Sequence, residues 1–317
     1  MFKGKKVLIA GGTGFIGINF INRLLELGAD VRATLHKKPA VINNASIEYV
    51  RVDLRTPEGC AAAVAGVDYV FMCAANTSGA GVIQNNPLAH VTPNVLINTL
   101  MLEAAHRAMV KKYLWLSSST VYPPANRPVK EHEMMSGPPF EKYFAVAWMK
   151  RFSEALCEIY STKIRNPMTT VVVRPANVYG PYDDFSWETS HVVPALIRKV
   201  VERHNPIEVW GDGTDIKDLI YVEDFVEGAL LAMQKINIFS PINIGTEIPA
   251  TVKDVLDVAI EADDFKNAKI VFNKSMPTMI PFRLLDVSRA KKELGFTART
   301  GLAEGVRKTI QWFKDNY

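Results

Sequence analysis

The sequence predicts an α/β protein, a doubly wound parallel sheet with a smaller α/β lobe beside it. Three observations carry this reading. Short apolar runs without polar alternation recur over residues 1–180, as expected of strands buried on both faces. Segments with helical apolar spacing separate those runs, and no hairpin signal intervenes. A glycine-rich turn also stands between the first run and the first helical segment.

The elements follow in order. Residues 7–10 form the first strand, an apolar run too short for a secretion signal and lacking a cleavage site. Ile16, Phe20, Ile21, Leu24 and Leu25 then recur at helical spacing until Gly28 supplies a stop. Strands are expected over 31–35, 48–53, 67–74, 112–118 and 169–173. Helices are expected over 57–65, 94–109 and 140–161. After Gly180 the composition shifts toward Pro, Asp, Trp and His, and the alternation is lost. A dinucleotide-binding domain is therefore assigned to 1–180, with 221–245 returning to it. A substrate-binding lobe is assigned to 181–220 and 246–317.

Composition narrows the function. The chain has 317 residues, of which 48% are apolar and 22% charged, as in an ordinary globular protein. Its net charge of +4 is scattered, which argues against a nucleic-acid partner. No apolar run is long enough to span a bilayer, so no membrane role is expected. Cys60, Cys73 and Cys157 are too widely spaced for a metal site or a disulfide framework, and read as buried thiols in a reducing cytoplasm.

Gly11, Gly14 and Gly17 fall in the strand–turn–helix context of a dinucleotide site, within the run Thr13-Gly14-Phe15-Ile16-Gly17. The first glycine permits the tight turn, the second lets backbone approach a pyrophosphate, and the third allows close helix packing. The helix N-terminus offers free N–H groups to phosphate. An NAD site usually has an acid at the end of strand two. Here that place reads Thr34-Leu35-His36-Lys37-Lys38, and such a cationic tip suits a 2′-phosphate. NADP is therefore the expected cofactor, with NAD the alternative.

Further motifs accompany the loop: Asp53-Leu54, Cys73-Ala74-Ala75, Asn94, Ser118-Ser119-Thr120-Val121-Tyr122, Tyr143, and Arg174-Pro175-Ala176-Asn177-Val178-Tyr179-Gly180-Pro181. Together they resemble the extended short-chain dehydrogenase/reductases that act on nucleotide sugars. The second half is most similar to the GDP-L-fucose synthases, through the runs beginning at Ser190-His191, Val209-Trp210-Gly211 and Leu284-Leu285-Asp286. The resemblance implies a Rossmann-like fold, a nucleotide-diphosphate sugar as substrate, and a homodimer built from the helices at 94–109 and 140–161. It also implies roles. Asp53 and Leu54 meet the adenine; Ala74, Ala75, Asn94, Pro175, Asn177 and Val178 line the cofactor path. Ser118 bonds the reacting sugar oxygen, with Ser119 beside it, and Tyr143 moves the proton. Asn177, His191, Trp210, Lys217 and Arg283 face the substrate, with no metal required.

Two departures stand out. Four residues after Tyr143 the family has a lysine that holds the nicotinamide ribose; here Ala147 stands there. Lys150 lies near the same face, one turn further on. Thr120 takes the place of a cysteine that works with the histidine matching His191, and a threonine hydroxyl is too weak an acid or base to replace it. His191 alone remains suited to exchange a carbon-bound proton. The remaining histidines, His90, His106, His132 and His204, match no motif and read as surface residues.

The leading expectation is an NADPH-dependent reductase or epimerase/reductase of a GDP-linked 4-keto-6-deoxyhexose. An NAD-dependent 4-epimerase, a 4,6-dehydratase, or a non-catalytic nucleotide-sugar binder are the alternatives. Ser119-Thr120 stands where a dehydratase has an Asp-Glu pair, which counts against that one.

Overall fold

The computed structural model describes residues 1–77 and 85–317. Its first five strands are β1 (Lys6–Ala10), β2 (Asp30–Leu35), β3 (Ile47–Arg51), β4 (Tyr69–Met72) and β5 (Lys112–Leu116). Between and after them lie the helices α1 (Phe15–Glu26), α2 (Pro57–Val64), α3 (Thr92–Arg107) and α4 (Phe144–Glu158). Then come β6 (Thr169–Pro175), β7 (Asn177–Tyr179), α5 (Val192–Val201), β8 (Ile207–Trp210), β9 (Ile216–Tyr221), α6 (Val222–Lys235) and β10 (Ile242–Ile244). The chain closes with β11 (Pro249–Thr251), α7 (Val252–Ala262), β12 (Ile270–Asn273), β13 (Phe282–Arg283) and α8 (Leu302–Asn316).

The main sheet has seven strands in the order β10-β6-β5-β4-β1-β2-β3. Every pairing in it is parallel. The unbroken apolar runs explain this: Val7, Leu8, Ile9 and Ala10 are all fully buried, so β1 must be covered on both faces. One face carries Phe20, Ile21 and Leu24 of α1 with Phe225 and Ala229 of α6. The other carries Cys60 and Ala63 of α2, Met101, Leu102 and Ala105 of α3, and Cys157 of α4. The expected doubly wound architecture is the observed one.

A third core lies outside the sheet. Leu196 and Ile197 of α5, Leu256 of α7, and Ile310 and Phe313 of α8 pack around Phe185 and Tyr221. The lobe boundary differs from the expected one. Residues in 246–317 were assigned wholly to the lobe, but Leu285, Val287, Ala290, Leu294 and Phe296 pack in the core of the main sheet. The chain crosses back a second time because this apolar stretch covers α6 and the edge strand β10. Cys73 also differs from its expected burial, being only partly covered, whereas Cys60 and Cys157 are buried.

One ion pair is sealed inside. Arg174 of β6 donates from Nη2 to Glu154 Oε2 of α4 at 2.6 Å, and both side chains are 2% exposed. Deleting one partner leaves the other charge buried and uncompensated, which costs about 3–5 kcal/mol. Glu154→Gln should therefore lower the unfolding free energy by that much, read as a lower urea midpoint at unchanged slope, whereas Glu103→Gln in the surface pair with Arg107 should change it by less than about 0.5 kcal/mol.

Candidate active site

The turn after β1 forms a cradle that excludes side chains. Gly11 has φ +91°, and a Cβ there would lie 2.7 Å from the Ala74 nitrogen. A Cβ on Gly17 would meet the Gly11 carbonyl oxygen at 2.2 Å. The backbone is also pinned to β2, with Gly11 N–H donating to Thr34 Oγ1 at 2.8 Å and Gly12 N–H to the Thr34 carbonyl at 3.0 Å. Gly14 caps α1 with extended backbone and no side-chain cap, which leaves the helix N–H groups for an outside acceptor. Phe15 and Ile16 turn half-buried into the sheet core, and Thr13 sits half-exposed on the turn. This cradle fits the pyrophosphate of a dinucleotide.

At the tip of β2, His36, Lys37 and Lys38 are exposed. The nearby Asp53 is gripped by Arg55, at 2.6 Å, and its carboxyl is held far below the usual range. His36 lies 3.8 Å from the same carboxylate. The edge therefore offers cations, with its acid already neutralised. Leu54 is buried beneath it.

Ala74 and Ala75 follow β4, the first half-buried and the second exposed. Asn94 has a different place from the one expected for it. It is 4% exposed, and its amide accepts from Asn76 N–H at 2.7 Å and donates to the Asn76 and His90 carbonyls. Its polar atoms are spent on holding the loop after β4, so it shapes the path rather than facing it. Pro175 and Val178 are half-buried and Asn177 is exposed, at the ends of β6 and β7.

Ser118 caps the short turn after β5. Its Oγ accepts from Thr120 N–H at 3.1 Å and from Thr120 Oγ1 at 3.0 Å. With both acceptor positions used, its own proton is left to donate outward. Ser119 is buried. Thr120 is thus a support for Ser118.

Tyr143 is half-buried and its ring meets Phe140 edge-on at 5.8 Å. Burial pushes its phenol up to about 12, while Arg283 and the backbone of Ile280 pull the other way. Ala147 is fully buried, and the i, i+4 helix relation expected between it and Tyr143 is not present. The reason is that Tyr143 precedes the helix, ending a tighter turn over Glu141–Tyr143, so helical spacing does not start from it. The ammonium that reaches the end of β5 belongs to Lys150. Its Nζ donates to the Leu116 carbonyl at 2.7 Å and lies 4.8 Å from the Trp115 ring centre. Burial pushes it down to about 8, partly opposed by Glu154. Sequence reasoning set Lys150 aside; the signal available was its spacing to Glu154 and Cys157 on the sheet-facing side.

On the lobe side, Arg283 is 4% exposed and donates from Nη2 to the carbonyls of Tyr122 and Pro123. Its Nε and Nη1 are buried and have no partner among the described residues. Burial pushes the guanidinium down to about 10. Lys217 is buried too, but its Nζ is tied to the Ile280 carbonyl at 2.5 Å and to Asp215 at 3.3 Å. It braces the segment that carries Arg283 instead of pointing a free charge at a ligand. Trp210 is 39% exposed at the end of β8. His191 caps α5, and burial of its imidazole pushes it below the usual value, with Asp184 opposing. His90 is a correction: read as a surface residue, it is 3% exposed and close enough to His191 for their charges to interact.

Residues 7–245 match the NAD dependent epimerase/dehydratase family. The GDP-L-fucose synthase of Escherichia coli K12 is 31% identical over 330 residues, covering 98% of this chain and 97% of that one. A probable GDP-L-fucose synthase 1 of rice is 30% identical over 324 residues, covering 99% and 93%. The crystal structure of a UDP-glucose 4-epimerase from Thermotoga maritima, with UDP-glucose, superposes with a TM-score of 0.87 at 25% identity over 98% of this chain and 99% of that one. The chain belongs to the NAD dependent epimerase/dehydratase family, the extended short-chain dehydrogenase/reductases. It is an NAD(P)-dependent enzyme of the nucleotide-sugar epimerase/reductase class. Among the described residues no helix is long and apolar enough to cross a membrane.

If the Lys150 ammonium holds the cofactor's ribose, affinity for the dinucleotide should weaken as pH rises through about 8 and the charge is lost. Lys150→Met should weaken binding about tenfold at pH 7 and flatten that pH dependence, read by fluorescence titration.

Proposed function

We propose that the enzyme reduces the 4-keto group of a GDP-linked 4-keto-6-deoxyhexose with NADPH, with His191 exchanging a carbon-bound proton of the sugar. The observation that carries the reading is the buried Arg283, with two unpartnered nitrogens, beside the protonated phenol of Tyr143. A buried guanidinium without a carboxylate calls for an anion, and a sugar diphosphate supplies one next to a proton donor. The likeness to proteins named GDP-L-fucose synthase favours the GDP-linked sugar.

The chain's residues divide the work. The cradle at Gly11–Gly17 binds the pyrophosphate, and the cationic β2 tip favours the 2′-phosphate of NADPH. When bound, the reduced nicotinamide supplies the hydride. Ser118 donates to the ketone oxygen, and Tyr143 delivers the proton as that oxygen gains charge. Lys150 supplies the cation that spacing from Tyr143 had failed to find. Arg283 holds the diphosphate, and Trp210 offers an aromatic face to the base. The free thiols fit a cytoplasmic setting.

A second reading, an NAD-dependent 4-epimerase, is favoured by the likeness to the UDP-glucose 4-epimerase fold. One experiment separates them. The purified enzyme is titrated with NADPH and NADH, then mixed with GDP-4-keto-6-deoxymannose while the nicotinamide absorbance is followed. Net oxidation of NADPH supports the reductase; tightly co-purifying NAD with no net oxidation supports the epimerase. Tyr143→Phe should lower turnover by about 10²–10⁴-fold with NADPH affinity unchanged.

We also propose a homodimer through α3 and α4. Phe144, Trp148 and Phe152 line one exposed stripe of α4, at 61%, 40% and 48%, with Leu96 of α3 at 44%. Large exposed apolar side chains at this spacing mark an association face. Phe152→Glu with Trp148→Glu should convert a dimer to a monomer in sedimentation velocity.

A further inference from the structure

We infer that Glu208, with Asn273, reads the base of the nucleotide sugar and selects guanine. This rests on the nucleotide-sugar reading above and names the side chains that set its base. Side chains along a strand alternate between faces, and residues opposite each other in a ladder share one. In the parallel pair of β8 and β12, Ile207 and Val209 turn into the lobe core. Glu208 and Trp210 therefore stand on the other face, with Val271 and Asn273 opposite them. That face is open: Trp210 is 39% and Val271 49% exposed. On it Asn273 Nδ2 donates to Glu208 Oε1 at 2.6 Å, which leaves Oε2 without a partner among the described residues. Lys199 bonds the backbone carbonyl of Glu208, at 2.7 Å, and makes no ion pair with the carboxylate.

One length of chain joins this face to the Arg283 end of the site. Gly211 N–H donates to the Asn273 carbonyl at 2.9 Å, and a Cβ on Gly211 would lie 2.6 Å from Thr278 Cγ2. The Thr278 carbonyl accepts from Lys142 Nζ at 2.6 Å, beside Tyr143 in the chain. Further along, Arg283 pairs with Lys217 of β9, the strand into which β8 leads. The base face and the guanidinium are thus set by one run, 273–283, fastened to the Tyr143 turn between them.

The hydrogen-bonding pattern then decides the base. A carboxylate only accepts, and a carboxamide nitrogen carries two hydrogens. Asn273 spends one hydrogen on Glu208 and keeps the other, beside the free Glu208 oxygen. Guanine presents O6 as an acceptor next to two donors, N1–H and the 2-amino group. O6 takes the amide hydrogen, the two donors meet Oε2, and Trp210 stacks on the ring. Uracil has a carbonyl oxygen in place of the amino group, and that oxygen would face the carboxylate. Adenine reverses the first two positions and opposes both groups.

The test is calorimetric titration of the enzyme with GDP, UDP, ADP and IDP, the last being GDP without the 2-amino group. GDP should bind about 10²-fold tighter than UDP and ADP, and about tenfold tighter than IDP. Glu208→Gln and Glu208→Ala should each weaken GDP by about 10–100-fold, bring GDP and IDP level and leave UDP within about threefold, with thermal melting as the check on folding. UDP or ADP binding as tightly as GDP, or a GDP preference that survives in both variants, overturns the inference and leaves the nucleotide-sugar class standing. Wild-type enzyme that binds none of the four overturns both. Should both variants melt early, the wild-type protein decides: a tenfold preference for GDP over IDP supports the assignment, and equal affinities overturn it.

Discussion

The active-site side of the sheet hangs on one buried guanidinium. Arg174 reaches Glu154 of α4 through Nε and Nη2, and through Nη1 it donates to the Tyr122 hydroxyl at 2.9 Å and the Glu131 carbonyl at 2.7 Å. Glu154 also accepts from the Ser117 hydroxyl. Tyr122 in turn donates to Asn243 Oδ1, and Asn243 N–H donates to Glu131 Oε1. The end of β5, the loop carrying Ser118, the helix carrying Lys150 and the edge strand β10 are thereby joined in one satisfied network. In a low-dielectric interior such bonds reinforce one another, and every member fixes its neighbours' geometry. Ser118 and Lys150 keep a fixed relation because the network joins the strand end to the helix.

The electrostatics of the cleft follow from what is paired and what is left over. Acids near the dinucleotide edge are engaged, as Asp53 is by Arg55. Two further cations are held by neutral acceptors: Lys150 on the Leu116 carbonyl, and Arg283 on those of Tyr122 and Pro123. Carbonyls orient a cation without cancelling its charge. The cleft is therefore prepared for a ligand that brings several negative charges, which a dinucleotide and a nucleotide-diphosphate sugar both do.

Much of the fold was legible because burial on both faces leaves a direct imprint. Val7–Ala10, Tyr69–Met72 and Val171–Val173 contain little but apolar residues, and the glycines at 11 and 17 stand where a side chain would collide with neighbouring backbone. The glycine turn after β1 and the Ser118 turn after β5 were legible as elements for the same reason, being local patterns. What failed was non-local. Helical arithmetic from Tyr143 picked Ala147, since no sequence rule says that the helix starts only at Phe144. His90 carries no local pattern, and its burial is set by α4 and by a loop held through Asn76 and Asn94. The return of Leu285–Phe296 to the sheet core was hidden because lobe and sheet segments are equally apolar.

That return has a mechanical consequence. The segment joining β13 to α8 is laced into the main domain, with the Val129 carbonyl accepting from Asp286 N–H and Leu284 and Leu285 pairing beside it. The chain thus passes between lobe and sheet five times: after β7, before α6, after β10, and on entering and leaving 284–296. A body stitched at five points does not swing on a single hinge. Ligand entry and exit then belong to short loops and side chains at the rim, and motion between the two bodies is confined to small sliding of packed surfaces. A cut in the backbone within the lobe would accordingly loosen the whole molecule rather than release a separable half.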